Sequence, residues 1–339
     1  MSELKSADEC LEAGTLLAGR YLVEFVLGRG GMGAVYFARD QANNAEPLAI
    51  KELRMNCNPG LQEDAVKQFH QEASFLYHLE HPALVKVRDF FCDNGRYYLT
   101  MNYVRGKTLA EMLRVQKQPF EIREVLGWTR QLLDVLEYLH SQTPPILFRD
   151  LKPGNVMVDP TGKLHLIDFG IARCLVDGQR TATILQGVGS PDYCPLEQYQ
   201  GGGTDQRSDL YGLGATLYHL LTLHTPPLAS EVALSGRPAP SPRRINPLIL
   251  SPLEDMVTRL LALRKEDRYA NVAQVRGALF KVESAYDKPK PAKGAVAEKP
   301  PAPRSKKARG NTQGLLLGGL TLLVLGLLVW LIVQMKDNA

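Results

Sequence analysis

The chain lacks the patterns that mark a secreted or metal-stapled protein. Its 339 residues include five cysteines, an odd number, scattered at Cys10, Cys57, Cys92, Cys174 and Cys194 with no C-x-x-C pair. A disulfide framework and a structural zinc site are thereby excluded as organising devices, and reduced thiols in a cytosolic compartment fit better. No cationic and apolar leader opens the sequence: Met1–Glu12 is polar and mixed in charge, so no secretory signal is expected. Internal repeats are absent, which removes solenoids and propellers from consideration. One-signed charge is also scarce outside a single stretch. The net charge is +4, but Lys288, Lys290, Lys293, Lys299, Arg304, Lys306, Lys307 and Arg309 face only Asp287 and Glu298. That stretch carries about +6 and leaves the rest near roughly −2. Because the excess sits in one segment beside a hydrophobic run, no nucleic-acid partner is expected and the membrane surface is the better one.

What is present is a densely patterned region from Tyr21 to Val282, in a chain that is 45% hydrophobic and 22% charged. Such a region has ample core for a large globular domain. The expected organisation is an N-terminal extension at 1–20, a globular domain at 21–283 and a Pro/Lys/Ala-rich basic linker at 284–313. A transmembrane helix at 314–334 and a short far-side tail at 335–339 follow. The run Leu315–Val333 has no charge, and about 19 residues at about 1.5 Å each nearly match a hydrocarbon core of about 30 Å. Basic residues crowd its N-terminal side against Lys336 alone on the other, so the positive-inside rule keeps the main domain in the cytoplasm. The six residues Gln334–Ala339 are too few for a sensor domain.

Within the patterned region, Gly28, Gly30, Gly31 and Gly33 form a G-x-G-x-x-G segment ending in Val35. A dinucleotide-binding turn uses the same letters but opens a helix. Here strand-like YLVEFVLG precedes and AVYFAR follows, so the glycines lie between two strands. Glycines there let backbone N–H groups approach phosphates closely; a plain glycine hairpin is the other reading. Next comes Leu48-Ala49-Ile50-Lys51, a strand ending in a lysine that reaches phosphates when an acid holds it. Asp64–Leu79 reads as a helix, with Ala65, Phe69, Ala73 and Leu76 at helical spacing, and its Glu72 is the natural partner for Lys51.

Phe148-Arg149-Asp150-Leu151-Lys152-Pro153-Gly154-Asn155, followed by Ile167-Asp168-Phe169-Gly170, resembles the catalytic loop and metal-binding turn of the eukaryotic-type protein kinase family. The resemblance extends over most of the patterned region. Gly189–Glu197 is similar to the segment closing the activation loop, Asp209–Gly214 to the start of the buried central helix, and Arg268 to the arginine that pairs with Glu197. It implies an α+β, two-lobed protein kinase fold with a small β-rich N-lobe, a larger helical C-lobe and a hinge near Asn102–Arg105. ATP and Mg²⁺ are the implied cofactors, and Ser/Thr hydroxyls on proteins the implied acceptors. Asp150 is implied as the base, with Lys152 steadying the transferred phosphoryl group and Asn155 and Asp168 holding the metal. Gly28, Gly30, Gly31, Gly33, Val35, Ala49, Lys51, Glu72, Met101 and Tyr103 are implied to bind the nucleotide, Met101 as gatekeeper. GRGGMGAVY and FRDLKPGN resemble bacterial members, which places the anchor in a bacterial inner membrane.

Three positions depart from the family pattern: Phe148 stands for the loop histidine, Leu196 for a proline, and Ser190 for a threonine. None removes a catalytic group, so activity is expected; an ATP-binding adaptor that transfers nothing is the rival. Arg149 makes Thr181 and Thr183 candidates for activation-loop phosphorylation. Gly314 and Gly318, a G-x-x-x-G pair, offer a face for a homodimer.

Overall fold

Alternating side chains build a six-stranded antiparallel sheet in the first half of the chain, seen in a computed structural model that describes residues 10–30, 33–53, 77–168, 191–199 and 203–287. The strands are β1 (Leu16–Leu17), β2 (Tyr21–Gly30), β3 (Gly33–Asp40), β4 (Glu46–Leu53), β5 (Val87–Asp93) and β6 (Arg96–Asn102), in the spatial order β1-β2-β3-β4-β6-β5. Because successive residues point to opposite faces, each strand serves two cores. Tyr21, Val23, Tyr36, Leu48, Ile50 and Tyr98 form one cluster with Leu17, Ala34 and Ala38. Their neighbours Ala49, Leu99 and Met101 belong to the main core, with Val35 packed against it. The register pairs Val35 with Lys51, Ala49 with Met101, and Lys51 with Leu99. Lys51 therefore lies on the same face as Ala49.

The second half is mostly helical. Thr108 and Glu111 cap α1 (Leu109–Val115) reciprocally, through the Thr108 hydroxyl and the Glu111 carboxylate. α2 (Ile122–His140) is amphipathic and buries Val125, Leu126, Leu132, Leu133, Leu136 and Leu139. A short sheet follows, in which β7 (Lys107–Thr108) pairs with β8 (Val156–Val158) and β8 with β9 (Leu164–Leu166). After α3 (Leu196–Tyr199) comes α4 (Gln206–Thr222), buried on nearly every side from Ser208 to Thr222. Glycines let its neighbours approach it. A Cβ on Gly212 would lie 2.9 Å from the Leu151 carbonyl oxygen, and one on Gly214 would lie 2.6 Å from Leu260 Cβ. α5 (Ala229–Ser235), α6 (Pro242–Ile245), α7 (Ser251–Leu260) and α8 (Val272–Asp287) complete the lobe. Ion pairs tie α8 to α2: Arg130 to Glu283 at 2.5 Å, and Arg276 to Asp134 at 2.7 Å and Glu137 at 2.8 Å.

The sheet and the helices are stitched together by residues 80–86. Leu84 bridges Leu166 in parallel, Leu166 N–H donates to the Ala83 carbonyl at 2.8 Å, and Val85 N–H donates to the Leu166 carbonyl at 3.2 Å. Asn102 N–H donates to the Lys86 carbonyl, and Glu80 N–H donates to Tyr138 Oη on α2. These elements all lie in one unit, Met1–Pro289; the other, Lys290–Ala339, is outside the described residues.

The described part has the expected two lobes. Strand begins before Tyr21, at Leu16, and helix α8 runs past Glu283 to Asp287. Gly31, Glu72, Phe169, Gly170, Thr181, Thr183, Ser190 and the apolar run 314–334 lie outside the described residues. Among the described residues no helix is long and apolar enough to cross a membrane. The described cysteines Cys10, Cys92 and Cys194 are free thiols.

Candidate active site

The described glycines lie at the paired ends of β2 and β3. Gly28 pairs with Val35 and Gly30 with Gly33, whose φ of 135° suits glycine. A Cβ added at Gly28 or Gly30 would meet nothing within 4 Å. The protein's own packing therefore does not demand glycine at either position, and the space kept open suits a ligand approaching the backbone. Ala49 and Met101, both buried, line the same face of the sheet, and the Tyr103 ring stands edge-on to Phe37 at 4.8 Å.

Lys51 Nζ lies 2.5 Å from an Asp168 carboxylate oxygen, across 117 residues of sequence. This brings the strand lysine and the turn aspartate of the opposite lobe to one point. The expected partner, Glu72, lies outside the described residues, and among those described Lys51 is bonded to Asp168. Asp168 is set in place by its neighbour: Ile167 N–H donates to the Asn155 carbonyl at 3.1 Å.

Asp150, on the loop between α2 and β8, is nearly buried. The Asn155 amide nitrogen donates to its carbonyl at 2.8 Å and to its carboxylate at 2.9 Å, and Lys152 Nζ lies 2.8 Å from the same carboxylate oxygen. With the Asn155 nitrogen turned to Asp150, its amide oxygen is left to face a cation. Asn155 and Asp168, linked through the Ile167 N–H bond to the Asn155 carbonyl, supply two hard oxygen donors, and Lys51 brings a positive charge to Asp168. Mg²⁺ and the phosphates of ATP fit this set, since Mg²⁺ takes one or two protein oxygens and completes its shell from phosphate and water. Among the described residues no cluster of three or more His, Cys, Asp or Glu side chains forms a metal cage.

The loop bearing Asp150 hangs from α4. Asp209, with its side chain fully buried, accepts from Phe148 N–H at 3.0 Å, from Arg149 N–H at 2.6 Å, and is 2.8 Å from His140 Nε2 at the end of α2. Phe148 is buried in the main core and takes part in the loop's anchoring through its backbone. That explains how a phenyl ring serves there: the polar link is supplied by the main chain. Sequence reading placed Asp209 only at the start of a buried helix and missed its role here, as it missed His140. A signal existed, because a carboxylate on an otherwise apolar helix needs hydrogen-bond donors when buried.

The segment after the activation loop is fastened by Glu197. Arg268, wholly buried, forks onto it through Nη1 at 2.6 Å and Nη2 at 3.1 Å, and Ser208 Oγ donates to it at 2.9 Å. Burial works to raise the Glu197 carboxyl, but the bonds and charge of Arg268 outweigh it and hold the group below the usual carboxylate range. Beside it Tyr193 Oη meets His219 Nδ1 on α4 at 2.5 Å, and burial raises the tyrosine and lowers the histidine. A separate groove of about 760 Å³, lined by Leu79–Glu80, Asn102–Arg105 and the β8–β9 turn, contains none of Lys51, Asp150 or Asp168.

A glycine turn between strands, a lysine paired to an aspartate across the cleft, and an aspartate braced by an asparagine and a second lysine define the class: two-lobed folds that hold a nucleotide for phosphoryl transfer. The chain belongs to the protein kinase family, and the model described as "Protein kinase domain" matches residues 21–275. It is 34% identical over 305 residues to the serine/threonine-protein kinase Pkn1 of Myxococcus xanthus, covering 85% of this chain and 42% of that protein. It is 32% identical over 280 residues to PrkC of Bacillus subtilis, covering 81% and 42%. The chain thus spans about 42% of the length of these curated relatives. Among solved structures, PpkA-294 in its apo form is 27% identical with a TM-score of 0.65, covering 80% of this chain and 99% of that one. The kinase domain of Mycobacterium tuberculosis PknI is 25% identical with a TM-score of 0.63, covering 80% and 99%.

Proposed function

We propose that this chain is an ATP-dependent serine/threonine protein kinase that transfers the γ-phosphoryl of Mg-ATP to Ser or Thr hydroxyls on proteins and also phosphorylates itself. The observation that carries the reading is the braced carboxylate of Asp150, set among Lys152, Asn155 and the Lys51–Asp168 pair. In this reading Asp150 accepts the proton of the acceptor hydroxyl and Lys152 steadies the transferred group. Lys51, for which Glu72 is the expected partner, holds phosphate; Asn155 and Asp168 hold Mg²⁺, which neutralises phosphate charge. The glycines Gly28, Gly30, Gly31 and Gly33 cover the phosphates, while Val35, Ala49, Met101 and Tyr103 frame the base. A lysine two residues after the catalytic aspartate favours Ser/Thr over Tyr acceptors.

The same reading extends to the anchor. Residues 16–287 are the catalytic domain, 288–313 a basic linker lying on anionic lipid, and 314–334 a membrane span that keeps the domain in the cytoplasm of a bacterium. Its support is the uncharged run Leu315–Val333 flanked by basic residues. Gly314 and Gly318 favour a dimer that phosphorylates Thr181 or Thr183 in trans.

The test is transfer of labelled phosphate by the full chain, in detergent, to a generic basic protein, beside Asp150→Ala. Label on Ser and Thr, reduced about 10²-fold or more by the substitution, supports the kinase and its base. ATP binding without label in wild type would point to an adaptor. Carbonate extraction of membranes tests the anchor: release of the full chain would refute it.

A further inference from the structure

The backbone carrying Asp150 is bent unusually. Arg149 has a φ of +62°, and Asp150 N–H donates to the Phe148 carbonyl at 2.9 Å, so residues 148–150 make the rarer, left-handed kind of γ-turn. A side chain in that region is disfavoured relative to ordinary backbone, so the turn persists only where its surroundings hold it. Asp209 holds one side by accepting from Phe148 and Arg149 N–H. The other side of the Arg149 residue is its carbonyl, which belongs to the peptide unit leading into Asp150.

That carbonyl is held by a side chain from elsewhere. Gln198 Nε2, on α3, donates to it at 3.0 Å, and Gln198 Oε1 in turn accepts from the Cys194 thiol at 2.8 Å. Cys194 is buried and lies within residues 191–199, directly after the activation loop, where Arg268 clamps Glu197. The amide is thus oriented at both ends: the thiol fixes which end is oxygen, and the carbonyl takes the nitrogen. No other residue type of that length donates and accepts in this way while staying uncharged.

We propose that Gln198 is a positioning residue that locks the Arg149–Asp150 peptide unit to the 191–199 segment, so that seating an acceptor peptide on that segment sets the aim of the Asp150 carboxylate. The inference rests on the kinase reading above and deepens it. Gln198 acts through Asp150, and Cys194 acts through Gln198. Its loss affects the transfer step more than ATP binding, because its bonds reach the Arg149 carbonyl and Cys194 and not Lys51 or Asp168.

The test measures kcat, KM for peptide and KM for ATP on the full chain, with thermal unfolding as a check on folding. Gln198→Met, which keeps length but cannot donate, is expected to lower kcat about 5- to 10-fold, as for one net hydrogen bond, with KM for ATP unchanged. Gln198→Glu is the sharper variant. Ionised, it repels the Arg149 carbonyl; protonated, it donates to it, so its activity should recover relative to wild type as pH falls toward about 5, near the ordinary carboxyl range. Cys194→Ala should fall further than Cys194→Ser, which keeps a donor. A Gln198→Met enzyme with wild-type kcat, or a Gln198→Glu enzyme whose pH profile parallels wild type, would overturn the proposal. An inactive wild type would instead bring down the kinase reading, a distinguishable result.

Discussion

Replacing Arg268 by alanine tests the most heavily bonded buried charge in the fold. The guanidinium has no exposed surface, and its N–H groups are fully engaged: two bonds reach Glu197, and the Ala262, Leu263 and Arg207 carbonyls take the rest. It also lies over the Tyr211 ring at 4.9 Å. Alanine leaves Glu197, only 11% exposed in its side chain, without its main counter-charge. Breaking a buried pair on one side costs about 3–5 kcal/mol, because the remaining charge is stranded. In a domain of this size each kcal/mol lowers Tm by about 2–4 °C, so a fall of about 6–20 °C is expected. Glu197→Gln keeps the Ser208 bond and an oxygen for Arg268, and should cost less, about 1–3 kcal/mol. The double variant Glu197→Leu with Arg268→Met should be less damaging than its two singles added together, by about 2 kcal/mol. Urea unfolding followed by circular dichroism measures all of these. Additive singles, or an Arg268→Ala cost below about 1 kcal/mol, the size of a surface pair, would show that the two residues do not act as a clamp.

Other expectations follow from the same geometry. Gly214→Ala forces α4 away from Leu260 and should cost about 1–3 kcal/mol in urea unfolding, as overpacking does; a neutral result would mean that α7 moves freely. Asp209→Asn turns an amide toward a site of three donors, and should lower kcat at least about tenfold while leaving KM for ATP near wild type. For pH, burial lowers both His81 and His219. The unfolded chain then binds protons that the folded chain refuses, so stability is complete above about pH 7 and falls as pH drops below about 6.5. Tm measured at pH 7.5 and 5.5 should show this, and His219→Asn should shrink the difference. Carboxylates act in a lower window: Asp205 is held down to about 2 by its Arg207 bonds. Its contribution is present above about pH 4 and lost below it as pH approaches the folded value.

Much of the candidate site was legible because its chemistry is written in short motifs. Asp150, Lys152 and Asn155 lie within six consecutive residues, so their mutual bonds are nearly fixed by local geometry. The two-faced strand β4 was readable too, since Leu48 and Ile50 alternate with Ala49 and Lys51. What escaped reading depends on contacts between distant segments. Lys51 meets Asp168 only through the closing of two lobes, and nothing in either sequence neighbourhood specifies which acid will arrive. Arg149 is not a residue type that announces a left-handed turn, so its bend had no local sign. Gln198 reads as an ordinary polar helix residue until the Arg149 carbonyl is seen beside it. β1 is two residues long, too short to show any period.

The stitching of residues 80–86 has a mechanical meaning. Although this segment leads into strand β5 of the sheet, its backbone is bonded to β9 and to Tyr138 of the helical lobe. Bonded to Asn102 of the sheet as well as to β9 and Tyr138, this segment is the fulcrum about which the sheet would turn over the helices, with the backbone after Asn102 as the second bearing. Displacement then grows with distance from that line. Opening the cleft to admit and release a nucleotide can thus leave the Asp150 suspension untouched.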